Sequence, residues 1–130
     1  MVTVLFQTES HFPVSRKKVI DAVATALGGQ VKGKTEVGIS VVGDRQMRQL
    51  NKKYRRLDDT TDVLSFGLHE GENSAPFVDP PDRVLHLGDI VISYPQAVAE
   101  AAEENKLVDD KIVELALHGL NHLLGIHHPE

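Results

Sequence analysis

The hydrophobic positions of the chain recur with two different periods, and these periods predict eight elements of secondary structure. Short runs rich in β-branched residues, with apolar side chains at alternate or successive positions, predict strands. Longer stretches with apolar residues three and four positions apart predict helices. The predicted strands cover residues 2–7, 36–42, 62–66 and 84–93, and the predicted helices cover residues 15–28, the basic segment after Asp44, and residues 94–105 and 108–124. The predicted order is therefore β-α-β-α-β-β-α-α.

Local signals at the ends of these elements agree with the periods. Ser15 is a suitable N-cap for the first helix, because its hydroxyl can accept a hydrogen bond from the first turn, and Gly28 and Gly29 end that helix. Residues 69–83 are rich in Gly, Asn, Pro and acidic residues, which predicts a loop. Without a repeat or a linker, the 130 residues predict one domain over residues 1–130. Its expected fold class is α/β (α+β), a mixed sheet with helices packed on it.

The composition narrows the chemistry that the chain can perform. There is no cysteine, so disulfides, thiolate nucleophiles and cysteine-based zinc sites are excluded, and a transition metal would need histidine or carboxylate ligands. The first residues lack a basic segment followed by an apolar run of signal length, and no stretch approaches the length of a membrane span. We therefore expect a soluble, cytoplasmic protein without a membrane partner.

A basic stripe stands out against the acidic net charge of -5. The net charge argues against a protein that coats nucleic acid through bulk electrostatics. Within residues 45–56, however, six cations occur without a single acid: Arg45, Arg48, Lys52, Lys53, Arg55 and Arg56. This pattern indicates one aimed contact with a polyanion. The alternative is that these residues are only the solvated face of a helix.

Four of the seven histidines fall in the last 13 residues, HGLNHLLGIHHPE. His118 and His122 are four positions apart on the last predicted helix, so both imidazoles project from one face and can share a cation. Gly125 is expected to let the chain leave the helix, so that His128 returns as a third ligand. Three histidines leave one tetrahedral position open, as in catalytic zinc sites. The alternative is a set of helix-end histidines bonded to carbonyls or packed in the core.

The offsets of these histidines equal those of the metzincin pattern H-E-x-x-H-x-x-G-x-x-H. The position of the general-base glutamate is occupied by Gly119, which argues against a peptidase.

Three segments of the chain resemble the YbeY family, bacterial rRNA maturation factors regarded as single-strand endoribonucleases. HGLNHLLGIHH resembles the family signature H-G-x-L-H-L-x-G-Y-D-H, LNKKYRRLDDTTDVLSF resembles its L-N-x-x-Y-R-x-x-D-x-x-T-D-V-L-S-F block, and LGDIVIS resembles its L-G-D-I-x-I-S strand. The resemblance implies a small α/β domain related to the zincins. It also implies one zinc ion per chain, held by His118, His122 and His128, and a functional arginine at Arg55.

The chain departs from the family pattern at three places. His127 stands where the family usually has aspartate, which leaves open whether His127 or His128 is the third ligand, although the offset of ten favours His128. Asn121 replaces a leucine. The resemblance also implies a longer C-terminal tail, and this sequence continues only two residues beyond His128.

The expected reaction is hydrolysis of RNA phosphodiesters. Zinc with an open position activates water at neutral pH, and a guanidinium suits the charge that gathers on a phosphate. Catalytic roles are therefore expected for Arg55, His118 and His122. Lys52, Lys53 and Arg56 would follow the neighbouring RNA backbone. The resemblance implies action on the 3' end of small-subunit rRNA and in ribosome quality control, with ribosomal proteins or the small subunit as partners.

Several alternatives stay open. Arg55 could instead pair with a nearby carboxylate, and the candidates are Asp58, Asp59 and Asp62. Asp89 could cap a helix, sit at a ladder edge or orient a ligand imidazole, and Glu114 lies on the helical face of the ligands. The whole chain could also be a peptidase-like hydrolase, or a ribosome-assembly module in which zinc is structural.

Overall fold

The structure is a computed structural model that describes residues 1–31, 33–67 and 84–127, without the side chains of residues 126 and 127. Its elements are β1 (Val2–Thr8), α1 (Arg16–Gly28), β2 (Thr35–Val42), α2 (Asp44–Arg55), β3 (Val63–Gly67), β4 (Leu85–Ser93), α3 (Tyr94–Glu104) and α4 (Val108–His127). The predicted order and fold class are confirmed. The loop predicted at residues 69–83 lies outside the described residues.

The strands form one mixed sheet in the order β1-β2-β4-β3. β1, β2 and β4 are parallel, and the short β3 pairs antiparallel with β4. In the described part of the chain β3 is therefore one of the two edge strands, and α4 packs close to it. No helix in the described residues is long and apolar enough to span a bilayer.

Each face of the sheet carries its own apolar cluster. The larger cluster joins the sheet to α1 and α4, and its fully buried members include Val23, Ile39, Ile90, Ile112 and Leu120. The smaller cluster covers the opposite face with α2 and consists of Val42, Met47, Leu64 and Val91, with Leu50 and Phe66 packed against it. As predicted, α2 buries its apolar stripe and turns its cations toward solvent.

The helix ends agree with the sequence in one case and differ in another. The Ser15 hydroxyl accepts a hydrogen bond from the Lys18 N–H at 3.3 Å, which confirms the predicted N-cap. The predicted break at Gly125 is wrong, because α4 continues through this residue to His127. A glycine inside a helix costs about 1 kcal/mol, and burial of a leucine contributes about 1.5–3 kcal/mol. The buried Leu123 and Leu124 of the same turn outweigh that cost.

Candidate active site

One cavity of about 450 Å³ brings three of the predicted site residues together. His118 and His122 reach it from α4, Arg55 reaches it from the end of α2, and β3 with the segment before it forms the remaining wall. Both imidazoles belong to exposed residues, so they are accessible from the cavity. We call this space the histidine cavity.

Gly119 allows α4 to lie close to the sheet beside the histidine cavity. A Cβ at this position would lie 2.8 Å from Cγ2 and 3.2 Å from Cγ1 of Ile90, a fully buried residue of β4. A separation of 2.8 Å is shorter than real Cβ atoms show, so a side chain here would require the buried Ile90 or the helix itself to shift. At the position where metzincins carry a glutamate, this chain therefore has a glycine that packs against the core.

The end of α2 and the turn after it carry Arg55 to the cavity. Arg56 adopts the left-handed conformation, with φ of 58°, and so ends the helix. Asn51 is only 2% exposed, and its Nδ2 donates to the Asp59 carbonyl at 2.9 Å. The Ser93 N–H donates to the Asp62 carbonyl at 2.9 Å, which ties the end of the turn to β4.

Asp44 holds the same turn from the start of α2. Its Oδ1 accepts hydrogen bonds from the Thr60 hydroxyl at 3.0 Å and the Ser93 hydroxyl at 2.7 Å. The structural roles of Asp44 and Asn51 were not predicted from the sequence, although Asn51 belongs to the LNKKYRRLDDTTDVLSF block. Much of that block therefore serves to fix the path between α2 and β3.

The ion pairs around α2 leave Arg55 available. Arg48 Nε donates to Asp58 Oδ1 at 2.8 Å, and this bond holds the pKa of the Asp58 carboxyl below its usual range. Arg55 is exposed, and its guanidinium makes no hydrogen bond or ion pair within the described residues. The alternative in which Asp58 neutralises Arg55 is thus not the arrangement found. Of the described cations, Arg55 alone lines the histidine cavity.

The other three predicted RNA contacts, Lys52, Lys53 and Arg56, are all exposed and lie outside the histidine cavity. They flank Arg55 on the surface around the end of α2.

Glu114 belongs to an ion-pair network one turn before the histidines. Its carboxylate accepts hydrogen bonds from Lys106 Nζ at 2.8 Å and Lys111 Nζ at 2.5 Å. These two cations lower the pKa of Glu114 to about 2, and the same network raises the pKa of Lys111. Glu114 is therefore an anchor for the buried Lys111 amine.

A carboxyl pair links this network to the histidine cavity. Asp62 lines the cavity, and its carboxyl group lies near that of Glu100, whose Oε1 is 3.3 Å from Lys111 Nζ. Burial raises the pKa of the Glu100 carboxyl, and the Asp62 carboxylate raises it further. Asp62 is the only acid among the described residues that line the cavity.

The predicted metal ligands are only partly within the described structure. His118 and His122 lie a turn apart on one cavity wall, whereas His128 lies outside the described residues and the side chain of His127 is not described. Within residues 1–31, 33–67 and 84–125, no group of three potential ligands converges. Asp89 is a ladder residue of β4, and it makes no hydrogen bond to an imidazole among the described residues.

Comparison with known proteins places these features in one family. The family model described as Endoribonuclease YbeY matches residues 5–130. The chain is 46% identical over 101 residues to Endoribonuclease YbeY of Dehalococcoides mccartyi, covering 74% of this chain and 63% of that protein. It is 43% identical over 127 residues to Endoribonuclease YbeY of Moorella thermoacetica, and this match covers 92% of this chain and 80% of that protein.

The match covers 63% of the Dehalococcoides mccartyi protein, so this chain spans less than two thirds of that relative's length. A solution structure of TM1509 from Thermotoga maritima has the same fold, with a TM-score of 0.60. It is 22% identical, and the match covers 94% of this chain and 72% of that one.

Proposed function

The chain belongs to the YbeY family, and we propose that it is a metal-dependent endoribonuclease that hydrolyses phosphodiester bonds of single-stranded RNA. The observation that carries the proposal is the meeting of Arg55 with His118 and His122 in one cavity. Two imidazoles and a guanidinium that has no partner among the described residues suit a reaction at a phosphate better than one at a peptide carbonyl. The relatives' name, Endoribonuclease YbeY, supports the same substrate class.

Zinc is the metal that the donors of this cavity suit. His118 and His122 are exposed, lie four residues apart on α4 and open onto the same space, which is the arrangement that lets two imidazoles bind one ion. We propose His128 as the third ligand, on the offset of ten; because α4 continues to His127, this role requires the chain to leave the helical path directly after that residue. When bound, zinc supplies a Lewis acid and activates water for hydrolysis at neutral pH.

Arg55 would stabilise the charge that develops on the phosphate. Hydrolysis joins a water oxygen to phosphorus and breaks the bond to one ribose oxygen, and negative charge gathers on the phosphoryl oxygens as this happens. The guanidinium fork can donate two hydrogen bonds to those oxygens. The Asp62 carboxylate on the cavity wall can accept a hydrogen bond from water and so orient it.

The exposed Lys52, Lys53 and Arg56 would hold the RNA backbone on either side of the cleaved bond. As a biological role we propose rRNA maturation, at the 3' end of the small-subunit rRNA, together with ribosome quality control. Ribosomal proteins or the small subunit would then be partners.

The first test is metal analysis combined with RNA cleavage. We expect about one zinc per chain after purification without chelator, and cleavage of a single-stranded oligoribonucleotide that chelator abolishes. His118→Ala and His122→Ala should lose both metal and cleavage. His128→Ala should weaken metal binding far more than His127→Ala. Full metal content in the double variant of His118 and His122 would refute the metal site.

The second test distinguishes a catalytic role of Arg55 from a general effect of positive charge on α2. Arg55→Ala should lower kcat by about 100-fold with metal content unchanged, as for removal of other preorganised donors to a transition state. Arg48→Ala removes the same charge from the same helix, but its guanidinium pairs with Asp58, so its effect should be far smaller. A wild-type rate for Arg55→Ala at saturating RNA would refute the catalytic role.

Two other functions are outcomes of the same experiments. Cleavage of casein but not RNA would indicate a peptidase, which the packing of Gly119 on Ile90 disfavours. Absence of metal-dependent cleavage, even with ribosomes or a ribosomal protein added, together with retained RNA binding, would favour a non-catalytic assembly module with structural zinc.

A further inference from the structure

A second cavity of about 750 Å³ adjoins the histidine cavity at β3 and extends toward α2. The two cavities share four lining residues: Arg55, Leu64, Ser65 and His122. We call the second cavity the aromatic pocket, and its characteristic lining residues are Leu50, Tyr54, Leu64, Phe66, Asp89 and Val91. Its volume falls in the range of about 300–1,000 Å³ that is typical of small-ligand sites.

An open aromatic ring forms the mouth of this pocket. Tyr54 is 55% exposed although it lines the pocket, and it directly precedes Arg55 on α2. Its ring packs against that of Phe66, with centroids 4.7 Å apart and planes inclined by 52°. Lys53 Nζ lies 5.2 Å from the Tyr54 ring centroid and adds positive charge beside the ring. A solvent-accessible ring next to cations is the combination on which single-stranded nucleic acids stack their bases.

Asp89 is the only acid among the described residues that line the aromatic pocket, and its charge disfavours phosphate there. Asp89 is exposed on the pocket wall, and its carboxylate lies over Gly38, where a Cβ would collide with Oδ1. The Asp89 side chain makes no hydrogen bond or ion pair within the described residues. A carboxylate repels phosphate and accepts hydrogen bonds from N–H groups. Apolar walls, an open ring and this carboxylate, with the Ser40 hydroxyl also on the pocket wall, therefore suit a nucleobase with an amino group.

We infer that the aromatic pocket binds the base of the nucleotide next to the cleaved phosphodiester, with preference for a base that carries an amino group. This inference rests on the proposed function. Because Arg55 lines both cavities, a phosphate held by its guanidinium leaves the adjoining base at the entrance of the pocket. A base paired and stacked in a duplex cannot enter it, so the pocket provides a physical reason for selecting single strands.

The test uses the full chain with its metal and oligoribonucleotides that carry 2-aminopurine at one position beside the cleaved bond. Stacking on Tyr54 should quench the 2-aminopurine fluorescence on binding. Tyr54→Ala should abolish the quenching and weaken binding by about 10-fold to 100-fold, the range typical of one base stack. Tyr54→Phe keeps the ring and should retain both. Leu107→Ala, which removes another exposed apolar side chain outside both cavities, should behave as wild type.

An abasic nucleotide at the same position provides the decisive comparison. Tyr54→Ala should not weaken binding of the abasic oligonucleotide further, and Asp89→Asn should reduce the preference for adenine, guanine or cytosine over uracil by about 10-fold. The inference would be overturned if Tyr54→Ala weakened binding of abasic and intact RNA equally. It would also be overturned if a wild type that cleaves RNA left the 2-aminopurine fluorescence unchanged at every labelled position. Both outcomes would leave the proposed function standing. A wild type that neither binds nor cleaves RNA would overturn both.

Discussion

Substitution of Gly119 by alanine tests how α4 is seated beside the candidate active site. The new Cβ would lie 2.8 Å from Cγ2 of the fully buried Ile90, and overpacking of this kind typically costs about 1–3 kcal/mol. Alanine also favours the helix over glycine by about 1 kcal/mol. Gly125→Ala in the same helix is the matched control, because nothing lies within 4 Å of its added Cβ.

The difference between the two alanine variants isolates the contact with Ile90. The gain in helix propensity largely cancels between them, so Gly119→Ala should be less stable than Gly125→Ala by about 1–3 kcal/mol. Urea denaturation with unchanged m-values measures this difference. In an Ile90→Ala background, which removes both contacting atoms, Gly119→Ala should lose most of its penalty.

The same substitution should affect catalysis without removing metal. The proposed ligands all belong to α4 and the residues after it, so a shift of the helix moves them together and away from Arg55. We therefore expect Gly119→Ala to retain zinc while kcat falls. Equal stability of the Gly119→Ala and Gly125→Ala variants would refute the packing argument, and loss of zinc with normal stability would refute the rigid shift.

Two further predictions concern groups around the site. Glu114 has its pKa lowered to about 2 by Lys106 and Lys111, so its contribution to stability is complete above pH 4.5 and is lost as the pH falls toward 2. The Glu114→Gln variant should therefore be less stable than the wild type at pH 7 and should lose less stability between pH 4.5 and 2. Urea denaturation at several pH values measures this, and the same dependence of the unfolding free energy on pH in both proteins would contradict the prediction. Asn51→Ala leaves the Asp59 carbonyl without its donor and should cost about 1–3 kcal/mol, measured by urea denaturation, and it should also lower kcat. Normal kcat in a destabilised Asn51→Ala variant would indicate that the turn does not position Arg55.

The features that could be predicted from the sequence are those that depend on patterns among neighbouring residues. The strand and helix periods gave the order of elements, since each pattern repeats within a few neighbouring residues. The i, i+4 spacing of His118 and His122 was sufficient to place both on one cavity wall, because helix geometry alone determines that.

Contacts between segments far apart in the sequence could not be predicted from these patterns. The absence of glutamate at Gly119 was visible in the sequence, but its contact with Ile90 depends on how α4 packs on β4. The pairing of Arg48, rather than Arg55, with Asp58 depends on the left-handed turn at Arg56. The predicted break at Gly125 was wrong because burial of the adjacent leucines outweighs a propensity cost of about 1 kcal/mol.

The position of β3 explains how so small a domain can provide two adjoining cavities. Successive side chains of a strand point to opposite faces of its sheet, so Val63 and Ser65 face α4 while Leu64 and Phe66 face α2. At this edge of the described sheet, Val63 lines only the histidine cavity and Phe66 only the aromatic pocket, whereas Leu64 and Ser65 between them border both. A shift of register by one residue would exchange the two sets. The pairing of β3 with β4 therefore fixes both which groups would meet the phosphate and which would meet the base.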